Sequence, residues 1–419
     1  MLTQVQTFAL LLISTMSENI LVLNAGSSTL KCDLYRFSSA ALPDQPPTPI
    51  WQAQLEDRRV RVNALGGVSK EVKLPSARPE EAIPAVIRIL HEDLLPDIRD
   101  SGGVAIVGHR VVHGGRKYKE PTFITEAVKA AIDELASLAP AHNPPALAGI
   151  EAAERAFGSI PQLAVFDTAF HQTIPEAAAV YPVPYGWTEK GMRRYGFHGI
   201  SHEYAAGRAA QLLNCDPSSL RLVTCHLGNG CSLAAVRGGK SVDTTMGFTP
   251  LEGLMMGTRS GSVDPGLLLH LLRQESYSAD DLATLLNKES GLLGVSGISG
   301  DMREVTAAAA SHPRAQLALN VYVHRVRSYL GAMLGSLEGL DAIVFTGGIG
   351  ENSAMIRSQV CSAFAFLGLE IDEARNVAPT ADVDVASSNS SVRVIVVRAQ
   401  ENWAIAQSCW TILREREAG

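Results

Sequence analysis

Two stretches of this chain, roughly 200 residues apart, share one pattern. "LVLNAGSSTLKCDLY" (21–35) and "LVTCHLGNGCSLAAV" (222–236) each run from an apolar strand through a polar residue and a Gly-rich bend into an alternating strand. That is the pattern of a β-hairpin whose bend can offer backbone N–H groups to phosphate. Its return reads as an internal duplication: two α/β halves, each opening with a hairpin. The 419 residues are enough for two or three domains and a large buried core.

The segments between support α/β halves. "PEEAIPAVIRILHEDLL" has helical spacing, and "TEAVKAAIDELASLAP" reads as a helix capped by Thr125. "PQLAVFDTAFHQTIP" reads as a buried strand that breaks at Asp167. In the second half, helices are expected at 266–274, 279–288 and about 314–338, followed by the strand "DAIVFT" and the turn "GGIGENS". A last strand, "VRVIVV", precedes a terminal helix. No low-complexity segment or long linker interrupts the chain, so the domains are expected to pack closely around a cleft.

Net charge is −7 and no Lys/Arg-rich run occurs, which argues against a nucleic-acid partner. The six cysteines include no C-x-x-C pair and read as buried free thiols of a reducing compartment. The apolar run Phe8–Ile13 lacks a cationic flank and an A-x-A site and is too short to cross a bilayer. Residues 1–15 therefore read as an extension or an upstream start, not a signal peptide, and no membrane partner is expected.

"HRVVHGG" (109–115) spaces two histidines as a zinc-binding helix would, but Arg110 stands where the zinc-protease pattern has Glu. The stretch ends a run rich in β-branched residues, which makes it a strand. Positions four apart on a strand are separated by about 13 Å, so His109 and His113 are not expected to share a metal. Arg110 and Val112 then share one face.

Several other segments have the composition of a site. "NAGSSTLK" (24–31) is a turn of small hydroxyl residues closed by Lys31, a point charge for terminal phosphates, although it lacks Walker A spacing. "HLGNGCS" (226–232) and "FTGGIGENS" (345–353) are further Gly-rich turns after apolar strands. "FDTAFH" puts Asp167 at a strand end, where α/β sheets collect site residues. "RRYGFHGISH" (193–202) is dense in aromatic and basic residues, and Arg259 lies among apolar neighbours, so a partly buried guanidinium there needs an anionic partner.

Together "LNAGSSTLK", "GHRVVHGG", "HNPP", "FDTAFH", "YGFHGISH", "HLGNG", "PLEGLMMGTRSG", "FTGGIGEN" and "QENWAIA" resemble the acetate kinase family, from about Asn19 to the last helix. That family sits in the superfamily of acetate and sugar kinases, heat-shock chaperones and actin. The resemblance implies an α/β, two-domain, duplicated actin-like (ribonuclease H-like) fold with the active-site cleft between the domains. It implies an extension at 1–18, an N-terminal domain at 19–168 plus 402–419, and a C-terminal domain at 169–401 carrying most nucleotide contacts. It further implies a cytoplasmic homodimer that phosphorylates acetate or another short carboxylate with ATP and Mg2+ (or Mn2+), reversibly giving acyl phosphate and ADP.

Carried over by position, the catalytic set is Arg110, Asp167, His198 and Arg259 with His142. Asn24 and Glu401 match the metal-associated positions. Lys31, His226, Leu227, Gly228, Asn229, Gly230, Asp301, Met302, Arg303, Gly348, Ile349, Gly350, Glu351 and Asn352 match nucleotide contacts. Arg110, Val112, Ala141, Phe197 and Pro250 match the acyl pocket. Three departures stand out: Ala141 where the family commonly has Leu, Ser262 where Asp is usual, and Asn402 in place of a common second Glu. A wider pocket at Ala141 makes a propionate or butyrate kinase the alternative. A non-catalytic nucleotide clamp on the same fold would not need two arginines and a histidine at a small apolar pocket.

The chemistry suits those residues. A carboxylate is already ionised at neutral pH, so it needs no strong base before it attacks. The obstacle is charge, since both reactants are anionic, and phosphoryl transfer is mostly positioning and neutralisation. Arg110 is expected to grip the carboxylate, Arg259 to bridge it to the phosphoryl, and His198 to donate to an equatorial oxygen. Asp167 either orients an arginine or assists proton movement.

Overall fold

The computed structural model describes residues 18–26, 29–37, 41–56, 58–64, 67–100, 103–377 and 382–418. The expected extension at 1–15 and the two serines of the first bend lie outside the described residues. The chain divides into two compact units: residues to Ala169 with Gln400 onward, and Phe170–Ala399.

The first unit carries an eight-stranded sheet. Its strands are β1 (Glu18–Ala25), β2 (Thr29–Phe37), β3 (Trp51–Glu56), β4 (Arg59–Ala64), β5 (Val68–Lys73), β6 (Val104–Val111), β7 (Thr122–Phe123) and β8 (Gln162–Phe166), in the order β5-β4-β3-β2-β1-β6-β8-β7. β1 pairs antiparallel with β2 and parallel with β6, and β6 pairs parallel with β8. Glu18, counted with the extension by the resemblance, already pairs with Phe37, because β1 continues to the end of its partner. β1 and β8 are apolar and buried on both faces, as parallel strands covered on both sides must be. On one face Leu21, Leu23 and Val107 pack with Ile83, Val86, Ile87 and Leu90 of the helix Pro79–Asp100.

The helix Glu401–Ala418 packs on β1 and β6. A Cβ at Gly108 would lie 2.6 Å from Ile405 Cγ2 and 2.7 Å from Cys409 Sγ, so the close approach of this helix requires glycine there. That packing places Gln400 and Glu401 in the first unit, two residues ahead of the expected boundary at 402, and Ala169 joins them.

The second unit repeats the plan with β9 (Arg221–Leu227), β10 (Cys231–Arg237), β11 (Lys240–Thr244), β12 (Ala342–Thr346), β13 (Val383–Asp384) and β14 (Arg393–Val396), in the order β11-β10-β9-β12-β14-β13. β9–β10 is the antiparallel hairpin, with β12 parallel to β9 and β14 parallel to β12. Both units thus share a hairpin followed by two parallel strands and a short antiparallel edge, which is the duplication seen in the sequence. Ala205, Ala206 and Ala209 of the helix Gly199–Leu213 cover one face of this sheet, and the helix Pro313–Leu337 packs against β9, β10 and β11.

One local expectation fails. "GGIGENS" is not a turn: Gly347 adopts φ +77° at the end of β12 and the chain winds into the short helix Gly347–Asn352. Three glycines in six residues hide a helix from propensity.

Candidate active site

In the first unit the polar residues gather at the end of β1, β6 and β8. Arg110, on β6, donates from Nε to both Asp167 oxygens (3.2 and 3.1 Å) and from Nη2 to Oδ2 (2.6 Å). The side chains of Arg110 and Asp167 are 13% and 2% exposed. Arg110 Nη1 faces Asn24 Oδ1 at 3.3 Å and Glu401 Oε2 at 3.8 Å. Burial alone would lower the Arg110 pKa, but the carboxylates of Asp167 and Glu401 outweigh it and raise it. Burial pushes the Asp167 carboxyl up, and the Arg110 charge pulls it back.

Asn24 donates to Glu401 Oε2 (3.2 Å) and to Asn402 Oδ1 (2.9 Å). Lys31 lies directly opposite Asn24 across the β1–β2 hairpin, with its side chain exposed. Val112 is buried just past the end of β6, and Ala141 is exposed. His142 takes the N-cap position of the helix Asn143–Phe157. The buried Asn143 fastens that helix to the strand end, accepting from His113 N–H and donating to the His113 and Ile132 carbonyls. Asn143 lies in the quoted "HNPP", but that motif did not point to this anchoring role.

His109 and His113 are structural. His109 pairs with Gln162 Oε1 at 2.6 Å, and His113 Nδ1 accepts from Gly115 N–H. Burial lowers both pKa values to about 4.

In the second unit His198 is held at φ +57° at the N-cap of the helix Gly199–Leu213. Its ring stacks on His226 at 4.2 Å, and its Nδ1 meets Ser232 Oγ at 2.9 Å. Ser232 also meets His202 Nε2, whose Nδ1 reaches Thr224 Oγ1, so a buried line of side chains supports His198 from behind. Ser232 closes the Gly-rich stretch "HLGNGCS", but nothing in that spacing showed that it would hold His198. Arg259 and His198 converge on Gly230: a Cβ there would sit 2.6 Å from Arg259 Nη2 and 3.2 Å from His198 Nε2. Arg259 Nη1 donates to the Pro250 carbonyl at 2.6 Å, and the carbonyl of the buried Phe197 receives His171 Nε2. Burial pushes the Arg259 pKa down, opposed by Cys231. Among the described residues no carboxylate pairs with Arg259.

The three stretches expected to contact the nucleotide adjoin within this unit. Gly257 N–H donates to Asn229 O, a Cβ on Gly300 would meet Gly257 O at 3.1 Å, and a Cβ on Gly347 would meet Leu227 O at 2.8 Å. Gly348 and Asn352 are exposed, while Gly350 is buried. Other members of the expected nucleotide set are committed to the fold. Met302 is buried, Glu351 accepts from Ala399 N–H, and Asp301 caps its own helix and pairs with the 90% exposed Arg303.

The family model of the acetokinase family matches residues 19–407. The chain belongs to the acetokinase family. An acetate kinase of a Cyanothece strain is 54% identical over 94% of this chain and 98% of that protein. An acetate kinase of Nostoc punctiforme is also 54% identical, over 94% of this chain and 99% of its own length. Among solved structures, Porphyromonas gingivalis acetate kinase superposes with a TM-score of 0.85 at 39% identity, covering 94% of this chain and all of that one. A propionate kinase of Francisella tularensis gives 0.83 at 37% identity, covering 93% and 98%. The two α/β units and these superpositions bear out the duplicated α/β fold expected from the resemblance.

Proposed function

We propose that this protein transfers the γ-phosphoryl group of ATP reversibly to acetate, giving acetyl phosphate and ADP. The observation that carries this reading is Arg259: a half-buried cation beside His198 and a Gly-rich turn, with no carboxylate partner among the described residues. A partly buried guanidinium in that state calls for an anion, and phosphoryl oxygens match its geometry.

An acetate oxygen attacks the γ-phosphorus while the bond to the β–γ bridging oxygen breaks and ADP departs with that electron pair. Arg110 grips the acetate carboxylate through its Nη1 edge, since Nε and Nη2 are taken by Asp167. Asp167 is thereby the orienting partner, the first of the two roles open to it. Arg259 and His198 Nε2 neutralise the equatorial phosphoryl oxygens. The turn His226–Gly230, with Gly257 and the start of Gly347–Asn352, faces the nucleotide.

The donor set of Asn24 and Glu401 fits Mg2+. Both offer oxygen, and Mg2+ is held by one or two protein oxygens while keeping waters and substrate phosphates. Bound there, the ion would screen charge on ATP oxygens. Two finer readings accompany this one. The helix Pro265–Gln274 buries none of its residues and exposes Leu267, Leu269 and Leu272, which supports a homodimer. All six cysteines are free thiols, which supports the cytoplasm.

The test is hydroxamate formation from acetate, ATP, Mg2+ and hydroxylamine. Wild-type protein forms acetyl hydroxamate and Arg259→Ala does not; absence of product from the wild type overturns the reading. The second reading, a propionate or butyrate kinase, is favoured by Ala141 and is separated by comparing the three acids in the same assay.

A further inference from the structure

Asn402 stands where the family commonly has a second glutamate. It is buried in the first unit, and both ends of its amide are engaged. Its Nδ2 donates to Asp33 Oδ2 at 2.9 Å, and its Oδ1 accepts from Asn24 Nδ2 at 2.9 Å. Asp33, buried on β2, also accepts from the Tyr35 hydroxyl at 3.2 Å and from Gln52 Nε2 at 3.4 Å.

The direction of this line follows from Asp33. An ionised carboxylate only accepts, so the amide nitrogen of Asn402 must face it. The Asn402 oxygen then faces Asn24, which must turn its own Nδ2 inward. That leaves the Asn24 carbonyl oxygen toward Arg110, 3.3 Å from Nη1. Without an acceptor at Asp33, the Asn402 amide can rotate by half a turn and oppose N–H to the Asn24 Nδ2, and Asn24 then loses its shortest hydrogen bond. The oxygen that a cation would use is left oriented only by the longer contacts of its amide with Glu401 and Arg110.

We infer that Asp33 and Asn402 are positioning residues for Asn24. Asp33 supplies, one link further along, the carboxylate acceptor that a glutamate at position 402 would supply directly. This rests on the proposed reading that Asn24 and Glu401 form the metal end of the site. Holding a ligand group in orientation is typically worth about 10–100-fold in metal affinity.

The experiment measures Mn2+ binding to the full chain in the presence of ADP, by electron paramagnetic resonance, alongside the KM for MgATP. Asp33→Ala and the similarly sized Asp33→Leu, neither of which offers an acceptor, are each expected to weaken Mn2+ binding about 10–100-fold. The Leu variant covers the case in which the Ala variant does not fold. The double variant Asp33→Ala/Asn402→Glu is expected to return to within about threefold of wild type, because the two positions are coupled neighbours. Mn2+ binding unchanged in both Asp33 variants, or a double variant no better than Asp33→Ala, overturns the inference. Glu401→Gln separates it from the reading it rests on. If Glu401→Gln abolishes Mn2+ binding and the Asp33 variants do not weaken it, only the positioning role falls. If Glu401→Gln leaves binding intact, the metal reading falls and this inference with it.

Discussion

Asp167 holds Arg110 by three hydrogen bonds to one edge of its guanidinium, and the pair is nearly closed to solvent. The carboxylate does more than balance a charge. It takes Nε and Nη2 and so fixes the direction of Nη1. In Asp167→Asn the amide keeps the volume but turns an N–H donor toward the guanidinium, so Arg110 loses its orientation while keeping its charge. Loss of such a positioned donor typically costs about 10²–10³ in kcat. Steady-state kinetics should show that loss in kcat/KM for acetate, with the KM for ATP changed much less. Arg110→Ala should fall at least as far. An Asp167→Asn enzyme within twofold of wild type in kcat/KM for acetate excludes the orienting role.

Gly230 offers a test that leaves every charged group in place. Its missing side chain is the space in which Arg259 and His198 meet. In Gly230→Ala the methyl group would displace Arg259 Nη2, the nearer and more flexible neighbour. Misplacing a catalytic group by about 1 Å can cost 10²-fold. The expected result is kcat lowered by one to two orders of magnitude with the melting temperature nearly unchanged, read by turnover and calorimetry on one preparation. Wild-type turnover would place the two side chains outside the reaction.

The architecture was far more legible in the sequence than the links within the site. The repeated hairpin is local and periodic, so β1–β2 and β9–β10 could be recognised from spacing alone. The same is true of Arg110, because β-branched neighbours betray its strand. The strands β3 to β5 carry little sequence signal, since their alternation is short and polar. The Asn24–Asn402 bond joins positions 378 apart in the chain, and neither residue carries a local motif that names the other. The roles of Asn143 and Ser232 were silent for the same reason: one polar side chain looks alike whether it anchors a site or only satisfies a backbone group.

Four buried histidines bear on the acid side of the stability profile, and burial lowers the His202 pKa well below the ordinary value. His109, His113 and His171 each have a folded-state pKa near 4, lowered chiefly by burial. The unfolded chain binds protons near pH 6.5, so between about 6.5 and 4 it holds more protons than the folded one, and stability rises with pH. The contribution is complete above the unfolded pKa and lost as pH falls toward 4, on the order of 1–2 kcal/mol per histidine at pH 5. Burial raises the pKa values of Asp33 and Asp167, a shift whose effect on stability has the opposite sense. The histidine contribution is therefore isolated by comparing slopes. Melting temperature should fall from pH 7 to pH 5, and fall less steeply in His109→Gln than in the wild type. Equal slopes would remove His109 from the account.

If Ala141 lines the acyl pocket, as the resemblance implies, it bears on how long an acyl chain the site accepts. It precedes His142 at the start of the helix Asn143–Phe157, where the family commonly has leucine, and its exposed methyl leaves space that a leucine would fill. One methylene in an apolar pocket is worth about 1–3 kcal/mol of discrimination, or 10–200-fold in kcat/KM. With the three extra heavy atoms of leucine absent, propionate should be used at well above one hundredth of the acetate kcat/KM. Ala141→Leu should then lower the propionate-to-acetate ratio by about tenfold or more, at nearly constant kcat for acetate, because the added atoms meet the longer chain and not the carboxylate held by Arg110. The measurement is kcat/KM for acetate, propionate and butyrate in both enzymes. An unchanged ratio in Ala141→Leu would show that position 141 does not line the acyl pocket, and the limit on chain length would then fall to Val112, Phe197 and Pro250.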